Sequence, residues 1–284
     1  MSITGQAKLA GIAGWPVGHS LSPCLHGYWI AEHKLDAAYV PLPVRREDFA
    51  AAVALLPKLG FCGLNVTIPH KEAAFALAAE HDEAAKATGA VNTLVFDDGR
   101  IIGKNTDVIG VVGMFRDAGI TTLAGKTVTV FGAGGAARAV VYALTQLHAS
   151  QIWISNRTEE KAADLASRFK GCGNTQIAPL SDTDRSQASD VLINTTSVGM
   201  AGAKPTPEPW RSSDFRKDGV VADIVYRPLE TQFLRMGRTM GAKTIDGLGM
   251  LLHQAVPAFA AWFGIEPKVT PALRAHMLEA LKGE

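Results

Sequence analysis

The chain has 284 residues, 47% hydrophobic and 19% charged, with a formal net charge of +1. That is the composition of a globular protein long enough for two domains. The near-neutral balance, with no block of like charge, argues against nucleic acid or a membrane surface as partner.

From the N-terminus, strand and helix patterns alternate. Residues 8–13 form a short apolar strand, and Ser22-Pro23 opens a helix with Leu25, Tyr28 and Trp29 on one face. Residues 38–44 and 61–66 read as strands with a helical pattern between them. The stretch "NVTIPHK" (Asn65 to Lys71) ends the second of these and opens a helix over 70–79. Lys71 then lies in a first helical turn, where the macrodipole favours anions and disfavours an ammonium. Strand patterns over 91–96 and 100–103 flank Asp98-Gly99, a good hairpin turn. Residues 108–118 are helical and Gly119 ends them.

A second strand–helix series starts at Lys126: strand 128–131, helix 135–148, strand 151–155, helix 159–169, then strands at 190–194 and 220–225. The Pro-rich run 201–210 reads as a loop, and 247–284 as two helices separated near 264–271. Such alternation predicts an α/β fold with parallel sheet covered on both faces. The main boundary is expected near residue 107.

Gly132-x-Gly134-x-x-Ala137 follows a strand and opens a helix, the context in which this fingerprint places a pyrophosphate on a helix N-terminus. The next strand ends in Asn156-Arg157-Thr158, with Lys161 beyond and no acid at its tip. An acid there would bind a ribose 2′-hydroxyl, whereas the guanidinium fork of Arg157 suits a 2′-phosphate. The expected cofactor is therefore NADP. Thr158 also reads as a plain N-cap, and Arg157 as a solvated loop cation.

Small polar groups crowd the strand ends of the first part: Ser20 and Ser22; Asn65, Thr67 and Lys71; Asn92 and Thr93; Asn105, Thr106 and Asp107. Ligands of open α/β sheets bind beyond such ends, and this set suits a polyhydroxylated anion. Ser22 and Asp107 read equally as N-caps. His19, His26 and His70 are isolated, and no metal spacing is present. Cys24, Cys62 and Cys172 are odd in number and dispersed, which fits a reducing compartment rather than a disulfide framework. The N-terminal stretch has no apolar core before a cleavage site, and the apolar run 108–115 is too short to span a bilayer. A soluble cytoplasmic protein without a metal is expected.

Together, "GHSLSP" (18–23), "NVTIPHK" (65–71), "GAVNTL" (89–94), "GKNTD" (103–107), "GAGGAAR" (132–138), "NRT" (156–158) and "DGLGMLLHQA" (246–255) resemble the shikimate dehydrogenase family, in its order and over most of the chain. The resemblance implies an N-terminal α/β substrate domain (1–107), a Rossmann-type doubly wound NADP domain (108–246) with a cleft between the two, and C-terminal helices (247–284) packing back on the substrate domain. It implies NADPH-dependent reduction of 3-dehydroshikimate to shikimate in aromatic amino acid biosynthesis. By the same resemblance Lys71 and Asp107 are the catalytic pair and Ser20 and Ser22 hold the substrate carboxylate. Thr67, Asn92, Gln254 and Tyr226 contact the substrate, with Asn65 in the same polar set. Gly132, Ala133, Gly134, Gly135 and Ala136 hold the pyrophosphate, and Asn156, Arg157, Thr158 and Lys161 the 2′-phosphate end. Ile224 and Gly247 line the nicotinamide side, and the loop 194–197 lies near the cofactor.

Two positions depart from the family pattern: Lys104, where an acid is frequent, and Val108, where Gly is common. Neither removes a catalytic group. The alternatives are a quinate/shikimate dehydrogenase of broader specificity, whose relatives often use NAD, and a non-catalytic NADP and metabolite sensor. A folate-linked cleft dehydrogenase would not explain "NTD" together with "DGLGMLLHQ". A homodimer is left open.

Overall fold

The computed structural model describes residues 3–181, 189–203 and 206–282. The chain divides into two compact units, Met1–Thr106 with Leu252–Glu284, and Asp107–Leu251.

The first unit begins with β1 (Lys8–Gly14), α1 (Ser22–Glu32), β2 (Ala37–Pro43) and α2 (Phe49–Leu55), which tightens into a 3-10 turn closed by Gly60 at φ 84°. It continues through β3 (Phe61–Val66), α3 (Lys71–Leu77), β4 (Glu80–His81), α4 (Glu83–Thr88), β5 (Thr93–Asp97) and β6 (Arg100–Lys104). These strands form one sheet in the order β2-β1-β3-β5-β6-β4.

The sheet is mixed, as the hairpin expected at Asp98-Gly99 requires. β1 pairs in parallel with β2 and β3, but β5 runs antiparallel to both β3 and β6. The β5–β6 pair follows from the Asp98-Gly99 turn, where both residues hold positive φ (45° and 76°) and fold one strand back on the other. The helix expected over 70–79 is shortened to Lys71–Leu77, and α4 and β4 follow it.

The second unit runs through α5 (Asp107–Asp117), β7 (Thr127–Phe131), α6 (Gly135–Gln146), β8 (Gln151–Ser155), α7 (Glu159–Arg168), β9 (Gln176–Pro179), β10 (Val191–Asn194), β11 (Val220–Asp223), α8 (Gln232–Thr239) and β12 (Lys243–Ile245). All of its strand pairs are parallel, in the order β12-β11-β10-β7-β8-β9. This is the doubly wound order, in which the strand order reverses between β7 and β10. The central strands read as continuous apolar runs because both sheet faces are covered: all four residues of β10 and four of the five in β7 are buried. Phe131, Trp210, Phe215 and Phe233 form an aromatic core beside Leu192 and Val221.

β9, α8 and β12 are elements that the sequence pattern did not reveal. Of the loop expected at 201–210, Lys204 and Pro205 lie outside the described residues, and the others form no helix or strand.

α9 (Leu248–Phe263) starts in the second unit and continues in the first, followed by α10 (Pro271–Lys282). In the first unit α9 packs an aromatic shelf around His26. That ring stacks on Tyr39 at 4.1 Å and lies 5.9 Å from Phe259 and 5.6 Å from Trp262. Gly63 makes room for the Trp262 indole, whose Nε1 donates to the Leu94 carbonyl at 3.0 Å.

Candidate active site

In the first unit the polar residues converge on one buried network. Asn92, 3% exposed, donates from Nδ2 to Thr106 Oγ1 at 2.9 Å and to Gln254 Oε1 at 3.4 Å. Its Oδ1 accepts from the Thr106 amide at 2.8 Å and the Thr93 hydroxyl at 3.1 Å. Asn92 and Gln254 are thus brought together across 162 positions of sequence. Thr106, one of the strand-end polar residues, belongs to this network, although the resemblance gave it no role.

Asn65 differs from the expectation of an open ligand contact. Its Oδ1 accepts from Tyr39 Oη at 2.7 Å, and its Nδ2 donates to Thr93 Oγ1 at 3.0 Å and to the Asn92 carbonyl at 3.3 Å. Both ends of the amide are engaged, so Asn65 braces Asn92 from behind. Tyr39 had no signal in the sequence beyond an aromatic in a strand. Burial raises its phenol pKa well above the usual value, offset in part by the Ser22 side chain.

Ser22 is not the N-cap of α1. Leu21 holds that position without a side-chain cap, and Ser22 begins the helix with its amide donating to Ser20 Oγ at 3.3 Å. Thr67 and Lys71 are half-buried at the end of β3 and the start of α3. The seven-residue α3 carries little macrodipole, so the dipole argument for Lys71 is weaker than the sequence pattern implied.

Asn105 is locked by hydrogen bonds to Thr88 Oγ1 and the Ala90 carbonyl, and its amide donates to the Asp82 carboxylate. The chain therefore leaves the first unit from a fixed point. Asp107 follows as the first residue of α5 rather than a cap outside it, and is 6% exposed.

His26 and His70 are structural. His70 stacks on Phe49 at 4.4 Å, with Nε2 2.8 Å from the Val44 carbonyl. His26 is fully buried, which lowers its pKa to about 3, with a small opposing effect of the Asn65 side chain. Among the described residues no group of three or more His, Cys, Asp or Glu is placed to hold a metal, and Cys24, Cys62 and Cys172 form no disulfide.

In the second unit β7 ends in the glycine-rich turn. Gly132 sits at φ 111° and its amide donates to the Ser155 carbonyl; a Cβ there would come within 2.5 Å of Thr195 Oγ1. Ala133 and Ala136 are half-buried and Ala137 fully buried, giving the close helix–strand packing that the third fingerprint position requires. Gly134 caps α6 with no side-chain hydrogen bond, and a Cβ at Gly134 or Gly135 would meet nothing within 4 Å. Both glycines are exposed at the start of a twelve-residue helix, which leaves room for a pyrophosphate at its N-terminus.

At the tip of β8, Asn156 Nδ2 donates to the Thr158 carbonyl at 2.9 Å. Thr158 occupies the N-cap position of α7, yet its side chain makes no capping bond. Arg157 and Lys161 are exposed, and neither has an ion-pair partner among the described residues. These groups fit a 2′-phosphate. Ile224 and Gly247 meet, since a Cβ on Gly247 would run into the Ile224 carbonyl. Tyr226 is half-buried just beyond β11.

Three family models match the chain: the shikimate dehydrogenase substrate binding domain over residues 12–94, shikimate / quinate 5-dehydrogenase over 117–201, and the shikimate 5′-dehydrogenase C-terminal domain over 247–282. An NADP(+) shikimate dehydrogenase of Acidiphilium cryptum is 47% identical over 284 residues, all of both chains. The chain belongs to the shikimate dehydrogenase family. Among solved members, a shikimate dehydrogenase in complex with NADP+ superposes with TM-score 0.90 at 36% identity, covering 99% of this chain and 98% of that one. The Thermus thermophilus shikimate 5-dehydrogenase, in complex with NADP(H) and shikimate, gives 0.83 at 33% identity, covering 97% and 99%. Among the described residues no helix is long and apolar enough to cross a membrane.

Proposed function

We propose that this chain reduces 3-dehydroshikimate to shikimate, reversibly, with NADPH. The observation that carries the reading is the match over the full length of both chains to an NADP-dependent relative, with Lys71 and Asp107 both present. Bound NADPH supplies the hydride for the C3 carbonyl carbon. The chain's own work is to hold the substrate and to deliver a proton to the carbonyl oxygen.

Lys71 and Asp107 are assigned that proton. The hydroxyls of Ser20 and Ser22 donate to the substrate carboxylate, and Thr67, Asn92, Gln254 and Tyr226 bind its remaining oxygens. Asn65 acts one layer behind, through Asn92. Residues 132–136 bind the pyrophosphate at the helix N-terminus, and Asn156, Arg157, Thr158 and Lys161 bind the 2′-phosphate. Ile224 and Gly247 wall the nicotinamide side. Residues 1–107 are then the substrate domain and 108–246 the NADP domain, with 247–284 completing the former. Dispersed cysteines that form no disulfide fit a cytoplasmic enzyme. Its place is aromatic amino acid biosynthesis, and a homodimer is the assembly to test by light scattering.

The deciding experiment is turnover of shikimate with NADP, followed by nicotinamide absorbance, in the parent and in Lys71→Ala. Loss of a proton-transfer group lowers turnover by about two to four decades, with a much smaller change in KM for shikimate. Near-normal turnover in the variant refutes the assignment of Lys71.

A further inference from the structure

Asp223 is a fully buried carboxylate to which the reaction above gives no role. It closes β11 and accepts three hydrogen bonds. Oδ1 takes one from Asn194 Nδ2 at 3.0 Å and one from the Val225 amide at 2.9 Å; Oδ2 takes one from the Thr231 hydroxyl at 2.6 Å. No cation pairs with it among the described residues. Burial pushes its pKa up to about 6, with these three donors opposing the shift. A carboxylate buried without a counter-charge is an expensive way to stabilise a fold, so its contacts must explain it.

Each donor belongs to a different segment at the carboxyl edge of the second sheet. Thr231 is the N-cap of α8, its oxygen also accepting from the Leu234 amide. Asn194 ends β10, and its Oδ1 accepts from both the amide and the hydroxyl of Thr196. The neighbouring Thr195 reaches the Phe131 carbonyl through its amide and its hydroxyl, at 2.8 and 2.7 Å, directly under Gly132. Val225 follows Ile224, whose own amide donates to the Asn194 carbonyl at 3.1 Å. The peptides on both sides of Ile224 are thus pinned, one by Asp223 and one by Asn194. The Ile224 carbonyl is the atom against which Gly247 closes.

We propose that Asp223 is a positioning residue for the cofactor, whose carboxylate holds Ile224 and the 194–198 loop in register with the glycine-rich turn. This rests on the NADP reading given above. The wall assigned to the nicotinamide side is then preformed, and cofactor binding pays little to order it.

The test compares Asp223→Ala, Asp223→Asn and the parent by NADPH fluorescence titration, which reads binding whether or not shikimate is turned over. A parent that binds NADPH tightly but does not oxidise shikimate would fail the functional reading while leaving this one measurable. Asp223→Ala removes every acceptor and weakens NADPH about tenfold, equivalent to about 1.4 kcal/mol, while KM for shikimate stays within about twofold. Asp223→Asn keeps an oxygen for Asn194 and Val225 and can donate to Thr231, so it restores NADPH affinity to within about threefold of the parent.

Parental NADPH affinity in folded Asp223→Ala, or failure of Asp223→Asn to restore it, overturns the proposal. If Asp223→Ala does not fold, Thr231→Val removes one of the three bonds. A weaker affinity for NADPH with unchanged KM for shikimate then supports the proposal, and unchanged NADPH affinity overturns it.

Discussion

Acidification tests the buried imidazole of His26. The ring is sealed among Tyr39, Trp29, Phe259 and Trp262, and burial lowers its pKa from 6.5 to about 3. The unfolded chain binds a proton here more readily than the folded one, so stability falls as pH falls. The contribution is whole above pH 6.5 and is lost progressively toward pH 3. At about pH 5 the unfolded ring is protonated roughly thirty to one while the folded ring stays neutral, a loss of about 2 kcal/mol. His26→Phe keeps an aromatic ring in the box and removes the titration. In urea unfolding followed by tryptophan fluorescence, the parent is expected to lose about 2 kcal/mol more than the variant between about pH 7 and about pH 5. Comparing the change within each protein cancels every other titrating group, along with any fixed cost of the substitution. Equal losses in the two proteins would refute the reasoning.

Two further outcomes concern the proposed cofactor site. Arg157→Ala should lower the preference for NADP over NAD, as a ratio of kcat/KM, by roughly ten- to hundredfold, the worth of a hydrogen bond to a charged group; an unchanged ratio removes Arg157 from the 2′-phosphate. Gly134→Val fills open space and should change stability by no more than about 1 kcal/mol while raising KM for NADP. Gly132→Ala strains a positive φ against Thr195 and should destabilise by about 1–3 kcal/mol. Denaturant titration beside NADPH titration separates the two, and a Gly134→Val enzyme with parental KM argues against pyrophosphate at that turn.

The parts of the fold legible in sequence were those with strong local signals. β3 and β8 follow from apolar runs bounded by turns, the hairpin from Asp98-Gly99, and α6 from the glycine fingerprint ahead of it. What escaped was short or set by distant partners. β4 has two residues and α4 six, and the Ala-rich run before them blurs the break. β12 exists because β11 pairs with it. The hairpin could be read locally, but its insertion beside β3 could not, since that depends on pairing between residues about thirty positions apart.

The candidate site divides along the same line. Residue types such as Lys71, Asn92 and Arg157 stood out as chemistry at strand ends. The roles of Asn65 and Asp223 depend on which atoms face them in three dimensions: a tyrosine from β2 for one, and an asparagine and a threonine from two other segments for the other. The cap readings of Ser22 and Asp107 shifted by a residue because each starts its helix from inside, a distinction that composition does not carry.

The first unit is interrupted, leaving at Thr106 and resuming at Leu252. Synthesis from the N-terminus therefore produces its sheet long before the helix that supplies Phe259 and Trp262. Until those residues emerge, one face of His26 lies open and the Leu94 carbonyl lacks its indole partner. The second unit, Asp107–Leu251, is one contiguous segment and meets no such delay. The nascent protein can thus complete its second unit first, and the proposed substrate pocket, whose Gln254 arrives with the same late helix, is the last part of the molecule to be finished.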